Sequence, residues 1–128
     1  MLKEGMTKAQ VVAVLQGYAY DMNRIVVLVP HGAGAAKQAQ FRLKELKNAV
    51  HSDFKHRHTI APSTKLTPMQ QAKLVRTIQD VFSALQGIGV NTIPNAEWRS
   101  ALFGAELDLQ GYLADLRDPE ESVEIGAW

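Results

Sequence analysis

The stretch VVLVPHGAGAAKQ, residues 26–38, decides the fold. Read one way, a strand ends in the valine run, and a G-x-G loop opens a helix that could hold an anion. Read the other way, one helix stops at Pro30 and another begins beyond it. The strand reading rests on five consecutive apolar or β-favouring residues at 25–29, with Asp21 to Asn23 as a turn before them. The helix reading rests on what lies upstream. Apolar residues fall at 11, 15, 18, 22, 25 and 29, in alternating steps of four and three, and the pattern runs through DMNR without a break. A lone strand would leave its edges unpaired. The second strand candidate is residues 89–93, so a small two-stranded ribbon of 25–29 with 89–93 is the α+β alternative. A proline forces the residue before it out of the α region, so a helix ending near Val29 needs no partner. The expected class is therefore all-α.

The same periodicity organises the rest. Thr7 with Gln10 three residues on forms a capping box, and Met6 can staple onto Val11, so the first helix starts at residue 8. Ala39, Leu43, Leu46, Val50 and Phe54 make the seam of a second helix over 35–56. Residues 59–66, TIAPSTKL, read as a connector. Thr67, Pro68 and Gln70 give the strongest helix start in the chain. The third seam is Val75, Ile78, Phe82 and Leu85, helped by Ala72, Leu74 and Val81, and Gly87 or Gly89 ends it. Asn95 caps a fourth helix over 96–117, with Trp98, Leu102, Ala105, Leu109, Leu113 and Leu116 turned inward and Tyr112 beside them. Four amphipathic helices make a small bundle-like domain over 1–118, followed by an acidic tail, 119–128, expected to be mobile.

With 128 residues, 46% apolar and 21% charged, the chain fits one globular core. It has no cysteine, which removes disulfides and thiolate chemistry and fits a reducing, cytoplasmic setting. Neither a membrane-spanning run nor a signal segment is read from it, and the narrow apolar seam of the second helix does not suit a membrane surface. The net charge of +1 hides a polarity. Residues 37–65 carry seven Lys or Arg against two acids, a net of +5, and three of the four His. Residues 97–128 carry eight acids against two Arg, a net of −6.

Chemistry finds little support. HGAGAAK lacks the Gly-Lys-Ser/Thr of a phosphate loop and the third glycine of a dinucleotide fingerprint, which leaves a helix corner with at most a nonspecific anion site. No G-x-S-x-G elbow accompanies it. His51, His56 and His58, with Asp53, match no metal-ligand spacing. Asp53 and Arg57 suit an i,i+4 ion pair. No catalytic, cofactor or metal residue is assigned, and no small-molecule substrate is expected.

Two surfaces stand out instead. The basic one comprises Lys37, Arg42, Lys44, Lys47, His51, Lys55, Arg57 and His58, a seam suited to phosphates or to an acidic protein. The acidic one comprises Glu97, Ala101, Gly104, Asp108, Gly111 and Asp115, where small residues would allow another helix or chain to come close. Val123, Ile125 and Trp128 could anchor the tail. The expected function is non-enzymatic: an interaction or assembly protein that uses oppositely charged helical surfaces to bind a protein partner or itself as a homo-oligomer. The alternative is a nucleic-acid-binding accessory protein that contacts phosphates through the basic second helix.

Overall fold

The structure is a computed structural model and describes residues 1–28, 33–89 and 92–116. Five helices account for most of it: α1 (Lys8–Leu28), α2 (Ala33–Lys55), α3 (Arg57–Ser63), α4 (Pro68–Gln86) and α5 (Ala96–Asp115). The deciding stretch is helical on both sides. Residues 25–28 close α1 and residues 33–38 open α2, while 29–32 lie outside the described residues. Among the described residues there is no strand, so the ribbon alternative falls: 25–28 are helical, and 89, 92 and 93 are irregular.

The starts follow from local hydrogen bonding. The Thr7 N–H donates to Gln10 Oε1 (2.9 Å), and the Gln10 N–H donates to Thr7 Oγ1 (3.2 Å). Thr67 and Gln70 repeat this arrangement ahead of Pro68. Asn95 Oδ1 accepts from the N–H groups of Glu97 and Trp98. Each cap satisfies donors that a helix start leaves open.

The four long helices run up, down, up, down. α1 packs on α2 and α5, and α4 packs on the same two. Hence α1 and α4 occupy one diagonal of the bundle, and α2 and α5 the other. The core is the meeting of the predicted stripes: Val11, Leu15, Tyr18, Met22 and Ile25 of α1; Ala39, Leu43, Leu46 and Val50 of α2; Trp98, Leu102, Ala105, Leu109, Tyr112 and Leu116 of α5. Fully burying one such Leu or Ile is worth about 1.5–3 kcal/mol.

Three expectations are corrected. The stripe of α4 is Leu74, Thr77, Ile78, Val81 and Leu85, while Val75 and Phe82 are half-buried and Ala72 is exposed. The reason is that Phe82 leaves the centre to stack on Phe54 of α2, ring centroids 4.1 Å apart. The connector contains α3. Pro62 signals a break, but it falls next to last in a seven-residue helix, where little helix remains to disrupt. Ser63 and Thr64 hydroxyls then donate to the carbonyls of Thr59 and Ala61 and close its end.

Last, Asp53 forms no pair with Arg57. It is buried, accepts hydrogen bonds from the Tyr18 hydroxyl and from the Leu2 N–H (2.9 Å), and so ties α2 to α1 and to the segment before α1. Leu2 is buried beside it, a core residue that no periodic pattern announces. Gly5, with φ of +77°, turns that segment so that its N–H donates to the Ser63 carbonyl (3.0 Å). A side chain would strain this turn.

Candidate functional site

The eight residues of the basic surface do not form one seam. α2 ends at Lys55, which leaves Arg57 and His58 on α3. Lys47 Nζ reaches across to the Ile88 carbonyl (2.6 Å) just past the C-terminal end of α4, where a cation is favoured. Arg57 lies with its guanidinium 3.9 Å from the centre of the Phe54 ring and donates to the Phe54 carbonyl (2.5 Å). Arg42 is half-buried in crevices between α1 and α2. Lys47 and Arg57 therefore serve the fold, and Arg42 is partly withdrawn from the surface.

A different row remains free. Lys37, Phe41, Lys44, Asn48, His51 and Lys55 are spaced by four, three, four, three and four, and all six are exposed. This spacing keeps them on one outward side of α2, over about 27 Å from end to end at 1.5 Å per residue. No acid belongs to the row. Among the described residues the one ion pair is Lys73 with Asp115 (3.3 Å), so Lys37, Lys44 and Lys55 have no carboxylate partner there.

The row carries two rings. Phe41 is 62% exposed between Lys37 and Lys44. His51 sits against Phe82 (5.5 Å, 23° between planes), and Phe82 stacks on Phe54, which is capped in turn by Arg57. Three planar groups, Phe82, Phe54 and the Arg57 guanidinium, thus stand in line behind the His51 ring. In the sequence Phe41 is the one aromatic of α2 off the buried seam, which by itself gives stacking poor support. The 4-3-4-3-4 spacing was available to find it, but which side of α2 stays open depends on where α4 packs.

The acidic surface is thinner than expected. Glu97, Asp108, Gly111 and Asp115 are exposed, and Ala101 and Gly104 are half-buried. Asp115 is occupied by Lys73. Asp108 is pushed above the ordinary carboxylate range, by partial burial first and by the facing Asp80 second. Among the described residues the glycines show no close packing, since a Cβ built at Gly104 or Gly111 would meet nothing within 4 Å. Burial likewise raises the phenols of Tyr18 and Tyr112, with neighbouring carboxylates adding to the effect. The tail anchor Val123, Ile125 and Trp128 lies outside the described residues, as do His31 and Gly32 of the glycine motif.

Concave chemistry is sparse. A cleft of about 580 Å³ at the end of α4 and start of α5 has Glu97 as its one ionisable lining residue, and Asp21 lines a crevice of about 200 Å³ with Arg42 and Glu45. Among the described residues no three His, Asp or Glu side chains gather closely enough to hold a metal, and no helix is long and apolar enough to cross a membrane. Compared with protein-family models, curated proteins and solved structures, the chain matches none.

Proposed function

We propose that this chain is a non-enzymatic binding protein whose working surface is the outward row of α2, and that the row takes single-stranded nucleic acid. One observation carries the reading: Lys37, Lys44 and Lys55, which have no ion-pair partner among the described residues, alternate with the exposed Phe41 ring and the buttressed His51 ring. Cations that track a phosphate backbone, beside rings on which bases stack, are what sequence-tolerant single-strand binding needs. A duplex keeps its bases stacked inside and could use only the cations. The absence of cysteine supports a reducing, cytoplasmic setting for this activity.

The test is a titration of labelled single-stranded and duplex oligonucleotides at several salt concentrations. Replacing Lys37, Lys44 and Lys55 together by alanine flattens the salt dependence by about two log units of affinity per log unit of salt. Phe41→Ala weakens single-strand binding by about 1–3 kcal/mol and leaves duplex binding unchanged. Equal affinity of wild type and triple variant removes the row from the account.

A second reading keeps the oppositely charged surfaces. Because α2 and α5 are diagonal, the basic row and Glu97, Asp108 and Asp115 cannot meet within one chain. They remain available to an acidic protein partner or to another copy in a head-to-tail, homo-oligomeric contact. Light scattering at low and high salt checks it: association that salt dissolves supports the contact, and a monomer at both salts rejects it.

A further inference from the structure

Among the described residues, large apolar side chains stand uncovered on the α1–α5 side of the bundle. Tyr20 of α1 is 62% exposed, and Phe103 and Leu107 of α5 are 59% and 55% exposed. These are three of the eight large hydrophobic residues exposed among the described residues. A spacing of four holds Phe103 and Leu107 on the outer side of α5. Between the helices runs a groove lined by Asn23 and Arg24 of α1 and by Glu106 and Gln110 of α5. The Arg24 guanidinium lies over the Tyr20 ring, 5.6 Å from its centre.

We propose that this side is a two-fold interface between two copies of this chain. The charge in the groove selects that occupant. It holds one cation, Arg24, and one anion, Glu106, with no ion pair between them within the chain. A two-fold axis brings Arg24 of each copy to Glu106 of the other, so both charges are answered at once. A purely acidic or purely basic partner would leave one of the two desolvated without a counter-charge, which is costly. Tyr20, which lines the groove, and Phe103 and Leu107 of α5 then supply the apolar area of the contact. The α2 row sits on the corner diagonal to α5 and stays open in such a dimer, so the inference does not depend on whether that row takes nucleic acid.

Sedimentation velocity across a wide concentration range tests it. The wild type reaches twice the monomer mass and grows no further. Leu107→Lys and Phe103→Ser each weaken dimerisation about tenfold or more, the size of a hot-spot loss. Both side chains are exposed in the single chain, so helicity and melting of the variant monomers stay unchanged. Arg24→Glu and Glu106→Arg each weaken the dimer, and the two together restore it. A monomer throughout, growth beyond the dimer, a dimer indifferent to Leu107→Lys, or a double swap that fails to recover would each overturn the proposal.

Discussion

Lys44 and Lys47 stand three residues apart on one helix, yet they belong to different parts of the protein. Lys47 leans toward α4 and gives its ammonium to the Ile88 carbonyl, whereas Lys44 is exposed and forms no ion pair among the described residues. The contrast extends along α2. Its flank toward α4, with Gln40 bonded to the Thr92 carbonyl, Lys47 to Ile88 and Phe54 stacked on Phe82, fastens helices together. Its front, from Lys37 to Lys55, touches another helix through the His51 ring on Phe82, while its three lysines form no ion pair among the described residues. Charge alone does not separate these two sides of α2; what the fold does with each charge does.

This division can be broken, beginning with the largest effect. Leu43→Ala, at a fully buried position of α2, costs about 2–5 kcal/mol in urea unfolding. Asp53→Ala leaves the Tyr18 hydroxyl and Leu2 N–H without their acceptor and costs about 1–3 kcal/mol for each donor that finds no other partner. Lys47→Ala removes a charge-assisted bond and costs about 1.5–3 kcal/mol or less, with part of that recovered by water. Lys44→Ala stays within about 0.5 kcal/mol of wild type. If Lys44→Ala were as damaging as Lys47→Ala, the front and flank of α2 would not be distinct.

The Asp53 carboxyl sharpens the comparison through pH. Burial raises it above its ordinary 3.8, against the lowering effect of the bonds from Tyr18 and Leu2. The folded chain therefore holds this proton more tightly than the unfolded chain does. The stability it contributes is complete below 3.8 and is lost as pH rises through the elevated folded value. Denaturant melts from mild acid upward should show that decline in the wild type and not in Asp53→Asn. An identical pH dependence in the two proteins would mean that Asp53 is not the group responsible.

How much was legible follows from range. The helices of the main bundle and all three caps could be read because each depends on residues within four positions of one another, Thr7 with Gln10 or Ala39 with Leu43. α3 escaped because Pro62 carries a local signal opposite to the tertiary outcome. Leu2 and the true partners of Asp53 escaped because their contacts span 51 and 35 residues. The basic surface was half legible: the cations could be counted, but that Phe41 and His51 stand beside the free ones depends on α4 covering one flank of α2 and leaving the front open.

What the chain alone settles is the α-helical class, the buried stripes and the uneven charge, since periodicity and side-chain ionisation are properties of short segments. Which cations are consumed by the bundle, which aromatic rings stay uncovered, and which helix faces stand diagonal to each other emerge only when α1, α2, α4 and α5 pack. Packing decides these because it allots every side chain at the edge of a stripe either to a neighbouring helix or to water.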